Sequence, residues 1–466
     1  MNTIHSKFSF KQLVTILVAS LMILMENIDT NILNVAIPAI AADLNAPPLQ
    51  LKLAITSYLI SLAIFIPISG WISDQFGTRK VLLWAIFAFG LFSLFCGLAH
   101  SLLELVIFRF LQGIAGAFMA PVGRLLMLKA FDKSDRVKVY VLMSLPVVLG
   151  PLLAPFLGGV LVSLFNWRYI FYVNVPFALL ALLGTYIYVE NYVQKTDKFN
   201  WWSFIWLGLF LSIFSYWLDT AFDPKTAATK SLILVFAIIC LLAYLKVEFS
   251  SDNKIINYKL FSIRTFKICF YSSIITRASF GGRGFALVLF LQYTLQMSPI
   301  IASYLLSSMA VGLFLGRIFV KRFLDYLGFK LMLTISNIGA AISLLLFGFI
   351  RTIDTFSICV LILNGLFTTI GFMLLNILCY ADIEEADYAS ATGIVSTTQQ
   401  LSFSLGVVIA ASALHIFNSI FGEFSFNAFN AAFIAISVLG LFSQVYLSKL
   451  RNNDGDDLID HHHLGN

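Results

Sequence analysis

Charge is what this chain has least of. Of its 466 residues only 12% are charged and 59% are hydrophobic, and mean hydropathy is +0.90. Soluble domains carry about 25% charged residues, so a soluble globular fold is excluded and an integral membrane protein is expected. Cysteine is scarce too: there are five, none in a C-x-x-C pair, which excludes a disulfide framework or a zinc module. Four (Cys96, Cys240, Cys269, Cys359) fall within apolar runs and Cys379 at the end of one. The sequence has no Walker phosphate loop, so ATP is not the evident energy source. Nor does it have an H-E-x-x-H motif or a nucleophile–base pairing to support an enzyme. His461, His462 and His463 belong to a polar tail and read as tail rather than as a metal site. No cofactor and no metal are expected.

Long apolar runs are abundant. A helix needs roughly 20 apolar residues to cross the hydrocarbon core. Fourteen segments meet that requirement: 13–38, 50–72, 81–99, 103–128, 137–164, 169–189, 201–219, 231–248, 266–293, 299–320, 329–350, 355–380, 389–418 and 427–448. The first contains Glu26 and Asp29 and has no small-residue cleavage site after it, so it reads as a retained span and not a signal peptide. With a cytoplasmic N-terminus, about twenty of the 30 Lys and Arg fall on the inner side. About five (Lys52, Arg168, Lys225, Lys230, Arg351) fall outside, and five (Arg109, Arg124, Arg277, Arg283, Arg317) lie within spans. Both termini are therefore expected in the cytoplasm. The net charge of +6 is inner-leaflet anchoring, not a nucleic-acid surface. Asp382, Glu384, Glu385 and Asp387 form an acidic exception on one inner loop, read as a solvated turn or as a partner for a basic loop.

The runs group as six, two and six. The expected domains are an N-terminal six-helix bundle (1–190), a linker with two further spans (191–265), a C-terminal six-helix bundle (266–450) and a cytoplasmic tail (451–466). A weak repeat supports the halves. The core Asp74-x-x-Gly77-x-Arg79, after the second span, recurs as Asp325-x-x-Gly328-x-Lys330 after the tenth, with Lys321 in the place of Gly70. Parallel halves of this kind are one transporter design. Within the fifth span, Gly150, Pro151, Pro155, Gly158 and Gly159 crowd into ten residues. Proline kinks a helix and glycine lets helices approach closely, so this span is expected to bend and to pack tightly.

Several motifs together resemble one family. The loop Gly70–Lys80 resembles the signature between spans 2 and 3 of the major facilitator superfamily, with Gln75 and Thr78 where basic residues are usual. Arg109, Gln112 and Gly113 match its span-4 signature. Gly150–Gly159 resembles the span-5 antiporter signature, with Ala154 in place of a common glycine. Ile28–Pro38 and Trp167–Pro176 resemble signatures of the fourteen-span drug:proton antiporter family within it. The resemblance implies an all-α membrane protein with the major facilitator fold, two six-helix bundles plus two central spans. It also implies efflux of small amphipathic compounds, driven by the proton gradient through rocker-switch alternating access. Expected surroundings are the bacterial inner membrane, a small-molecule substrate and a monomer, with or without other export components.

The embedded charges point to mechanism without the family. Glu26 and Asp29 share a helical face. Asp29 lies about 27 Å beyond Lys11 and Arg109 about 9 Å below the outer start of its span, so their depths match and an acid–arginine pair is possible. An ionisable group inside a membrane is a functional candidate by default. Asp29, Glu26 and Arg109 are the expected proton-coupling residues; a purely structural ion pair is the alternative. Gly70, Asp74, Gly77, Arg79 and Lys80 are an expected conformational latch, together with the bend at 150–159. Asp74 could pair with a nearby basic group or face a helix N-terminus.

The cargo is less legible. Arg277 lies about 17 Å above the inner start of its span, and Arg283 is flanked by glycines. Arginines at that depth suit carboxylates or phosphates, so an anionic or zwitterionic metabolite such as a carboxylate siderophore, exported or imported, stays an alternative to a drug. These arginines otherwise neutralise the two acids or bind backbone carbonyls. Asn34, Gln112, Gln292, Asn364 and Asn376 complete the expected polar cavity groups, or serve only interhelical packing. A channel or a substrate-sensing receptor is the alternative of another class.

Overall fold

A computed structural model of the chain describes residues 8–131, 136–194, 198–220, 227–251, 254–384 and 387–455. Helices account for nearly all of them, with no strand among the described residues. The helices are α1 (Phe10–Asp43), α2 (Lys52–Phe76), α3 (Thr78–Leu98), α4 (Leu102–Ala130), α5 (Arg136–Leu164), α6 (Tyr169–Tyr172) and α7 (Asn174–Tyr188). Then come α8 (Trp201–Thr220), α9 (Ala227–Ser250), α10 (Arg264–Leu289), α11 (Pro299–Leu345), α12 (Thr355–Tyr380), α13 (Tyr388–Phe421), α14 (Phe426–Leu441) and α15 (Gln444–Leu447).

In lipid every backbone polar group must find a partner within the protein, which leaves the helix as the available form for these apolar runs. The ends are capped where the sequence supplies an oxygen. Ser9 and Gln12 form a reciprocal capping box, and Ser101, Asp354 and Ser425 accept from the first turns of α4, α12 and α14.

Twelve stretches among the described residues are long and apolar enough to cross a membrane. One of them, Pro299–Phe349, is 51 residues long. It breaks at Gly328, whose φ of 68° and ψ of 168° interrupt α11 and divide it into two arms. That break falls between the tenth and eleventh expected segments. Gly77, its counterpart in the sequence repeat, also has positive φ, at 96°. The Asp-x-x-Gly repeat is thus a repeat of backbone conformation that L side chains rarely adopt.

α1, α2, α3, α4, α5 and α7 pack into one bundle, and α10 to α14 into a second. Across the seam α5 lies on α11 and α2 on α13. α8 pairs with α9 and touches α2 and α13, tied down by Trp71, Phe199, Trp201 and Phe204. Only 17% and 22% of the α8 and α9 apolar windows are buried, the smallest shares of any span, which places this pair at the periphery.

The apolar core reports how the bundles meet. One continuous cluster joins the first bundle to Phe285–Leu291, Ala302–Leu306, Leu344–Ile350, Val407–Leu414 and Phe429–Ile436 of the second. All of these second-bundle residues lie toward the face opposite Ser9 and Leu450. The other ends of the second-bundle helices, including Phe266, Phe329, Leu374 and Ile394, form a separate cluster with no first-bundle member. The bundles are fused at the far face and have separate cores toward the face that carries the termini.

Candidate functional site

Asp29 and Arg109 meet inside the first bundle. Arg109 Nη1 donates to Asp29 Oδ2 at 2.5 Å, and the side chains are 1% and 0% exposed. The other carboxylate oxygen accepts from Gln112 Nε2 at 3.0 Å and Asn174 Nδ2 at 2.8 Å. Arg109 Nη1 also donates to Gln112 Oε1, and Nε to the Ala54 carbonyl. The Tyr58 ring lies 4.1 Å from the guanidinium carbon. Asn174 is held in turn by Ser93, whose hydroxyl donates to the Phe171 carbonyl. Helices α1, α3, α4 and α7 thus converge on one carboxylate. Each charge is matched and bonded, the condition under which a buried pair is tolerated.

Glu26, one turn nearer the terminal face, is in a different state. The residue is partly exposed, but its Oε2 is buried without a partner, and its carboxylate makes no hydrogen bond among the described residues. Glu26, Thr30 and Asn34 follow one another at four-residue spacing, and all three are partly exposed. This gives α1 two carboxylates in different states: a fully bonded one at Asp29 and an unpartnered one at Glu26. Arg124 of α4 lies within electrostatic reach of Glu26.

The second-bundle residues do not join this group. Arg277 Nε donates to Ser273 at 2.9 Å and Nη2 to Asn376 at 3.1 Å, with the Phe372 ring 4.5 Å away. Gln399 also donates to Asn376. Arg283 donates through Nη1 to Asn364 and Thr368. Gln292 lies in a π-helical turn, Phe290–Thr294, that ends α10, and donates to the Val35 carbonyl of α1 at 2.9 Å. It ties one bundle to the other at the fused face. The expected cavity residues therefore occupy separate places: Gln112 in the Asp29 network, Gln292 at the seam, and Arg277, Arg283, Asn364 and Asn376 inside the second bundle.

At the terminal face, Asp74 is paired with Lys129 from the end of α4, at 2.5 Å, and not with Arg79 or Lys80. Arg79 donates instead to the Tyr186 carbonyl and covers that ring, while Lys80 is exposed. The segment after α7 straps this loop. Gln194 N donates to the Asp74 carbonyl, Thr78 N to the Tyr192 carbonyl, and Arg79 N to Asn191 Oδ1. Glu190 pairs with Lys11, and hydrogen bonds from Lys11 and Tyr192 hold its carboxyl below the usual range.

Gly70 has open space around it. In α5, Gly150 packs on Asn27, Gly158 on Ile32, and Gly159 on Ser303 and the Pro299 carbonyl across the seam. Pro151 and Pro155 lie within the same helix. On the acidic loop, Asp382 accepts from Thr265 and Asp387 from Asn257, so these two carboxylates meet neutral groups. Glu385 and the triple histidine lie outside the described residues. No group of three or more possible metal ligands occurs among the described residues.

Sequence reasoning missed Asn174, Ser93, Tyr58, Lys129 and the 190–194 strap. Asn174 had a signal, since it falls within the Trp167–Pro176 motif. Lys129 had none, because an ordinary lysine at a helix end carries no mark of its partner.

The chain matches the model of the Major Facilitator Superfamily over residues 19–249 and 269–457. It is 31% identical over 447 residues to the probable transport protein HsrA of Haemophilus influenzae, covering 95% of this chain and 96% of that one. It is 32% identical over 401 residues to the putative multidrug resistance protein MdtD of Escherichia coli O81, covering 85% and 84%. Among solved structures it resembles a D-xylose-proton symporter, with a TM-score of 0.67 at 17% identity, covering 95% and 99%. It also resembles a bacterial homologue of the lysosomal transporter Spinster in an inward-facing, occupied conformation, with a TM-score of 0.68 at 14% identity, covering 95% and 97%. A chain of membrane-spanning helices whose sequence matches that family model over both halves is a membrane transporter, and it belongs to the major facilitator superfamily.

Proposed function

We propose that this protein exports small amphipathic compounds across the bacterial inner membrane in exchange for protons, and that Glu26 carries the exchangeable proton. The observation that supports this is the contrast between the two acids of α1. Asp29 already accepts from three donors in a sealed core, so protonating it would leave Arg109 as an uncompensated buried charge. Glu26 has a buried oxygen without a hydrogen-bond partner on a partly exposed residue, so it can take up a proton without breaking a bond or stranding a cation. Asp29 and Arg109 then serve as a fixed electrostatic background that fastens α1 to α4 and α7.

The likeness to a protein named for multidrug resistance favours export of drug-like compounds. Fourteen spans divided as 1–190, 191–265 and 266–450, with a tail at 451–466 and both termini cytoplasmic, fit the repeat and the charge bias. On that orientation the fused far face is the outer gate, and the chain is inward-open. Rocking of the bundles about the α2–α13 and α5–α11 contacts would open the other side.

The test is proton release from acid-loaded, inside-out vesicles challenged with lipophilic cations and, separately, with polycarboxylates. Release by cations that disappears in Glu26→Gln supports the reading. Release by polycarboxylates that needs Arg277 would replace it with transport of an anionic metabolite. Conductance without proton coupling would replace it with a channel.

A further inference from the structure

We propose that the second bundle binds a small inorganic anion of about chloride size at Arg283, a site independent of the cargo. The second arm of α11, with α10, α12 and α14, lines a cavity with about 30 Å³ of free volume. Arg283, Asn337, Asn364, Thr368 and Phe280 line it. Arg283 is 3% exposed, and its Nη1 is engaged by Asn364 and Thr368. The guanidinium lies over the Phe280 ring, 4.3 Å from its centroid, but its Nε and Nη2 have no hydrogen-bond partner, and neither has Asn337 Nδ2, on a residue that is itself buried. Among the described residues no carboxylate pairs with Arg283.

The unmatched groups in this cavity share one character. All are donors, and two belong to a guanidinium, which does not give up its proton in proteins. Water could accept from these N–H groups but would leave the charge unbalanced, and an isolated buried charge is strongly disfavoured. An anion answers both needs. The volume admits one or two water-sized particles, which suits a halide.

The first bundle shows the same design completed within the chain. Asp29 lies nineteen residues past the start of α1, and Arg283 nineteen residues past the start of α10. Asp29 bonds Arg109 and Gln112, about one turn apart on α4; Arg283 bonds Asn364 and Thr368, one turn apart on α12. In the first half a side chain supplies the negative charge. In the second half the cation has changed helix, and among the described residues none supplies its counter-charge.

The experiment is thermal unfolding of the purified full chain in detergent, titrated with sodium chloride or bromide against sodium gluconate at constant ionic strength. Wild type should show a saturable rise in Tm with either halide. At a halide concentration 100 times Kd the unfolded-to-folded ratio should fall about 100-fold relative to gluconate. Arg283→Gln should abolish the dependence, and Asn337→Leu, which keeps the guanidinium, should weaken it. Halide NMR line broadening by wild type that is lost in Asn337→Leu reads the same site should Arg283→Gln fail to fold. Equal Tm in halide and gluconate overturns the proposal, as does a halide effect retained in Arg283→Gln. A rise with polycarboxylate but not halide overturns it as well.

Discussion

Asp29 and Arg109 lie 80 residues apart in sequence and 2.5 Å apart in space, with essentially no exposure of either side chain. The pair fixes α1 against α4, and Gln112 and Asn174 occupy the acceptor capacity that Arg109 leaves free. Removing one partner is therefore not equivalent to removing both. Asp29→Asn or Arg109→Gln should each destabilise the folded protein by about 3–5 kcal/mol, because each strands a buried charge. The double substitution should cost clearly less than the sum. Denaturant titration of the three variants checks this; additive losses would mean that the two groups do not act as a pair.

Glu26 makes the opposite prediction. With no hydrogen bond to lose, Glu26→Gln should cost clearly less stability than either single substitution in the Asp29–Arg109 pair. It should nonetheless abolish substrate-triggered proton release. Asp29→Asn in a stabilised background should retain some release. A Glu26→Gln protein that couples normally would move the proton back to Asp29.

The pairing of Asp29 with Arg109 was legible in the sequence because helix rise converts residue number into depth, and two opposite charges at one depth are seldom accidental. The helices were legible for the same reason, as was the glycine-marked break between the arms of α11. Azimuth was not legible. Gln292 and Asn34 both read as cavity groups, yet a π-helical turn rotates Gln292 into a bond with the Val35 carbonyl. Glu26 and Asp29 are three positions apart, and that rotation is enough to leave one fully bonded in a sealed core and the other with a buried oxygen that has no partner. The partner of Asp74 was hidden because the choice of Lys129 over Arg79 depends on where the end of α4 lands.

The far-face seam can be loosened. Gln292→Ala removes the bond to Val35, worth about 1 kcal/mol, and should move the equilibrium between open states about fivefold toward the outward-open one. A side chain at Gly159 meets Ser303 and the Pro299 carbonyl, so Gly159→Val should move it further in the same direction. Distances between spin labels on the 44–51 and 421–426 loops should lengthen in both variants. Unchanged distances would show that this seam does not hold the gate.

The two repeat glycines separate strain from packing. Gly77 and Gly328 both have positive φ, at 96° and 68°, so alanine at either should cost about 1–3 kcal/mol in backbone strain. Their surroundings differ. A Cβ on Gly77 runs into the Asn191 side chain, whereas one on Gly328 has no neighbour within 4 Å. Asn191 Oδ1 accepts from the Arg79 amide, so the collision also displaces the strap that holds the loop beside the Asp74–Lys129 pair. Gly77→Ala should therefore destabilise more than Gly328→Ala and should slow transport where Gly328→Ala does so less. Adding Asn191→Ala to Gly77→Ala should relieve the collision but neither the strain nor the lost strap, recovering part of the stability and little of the transport rate. Full recovery of transport in that double variant would mean that the strap takes no part in the switch. Equal losses at the two glycines would reduce both positions to turn geometry alone.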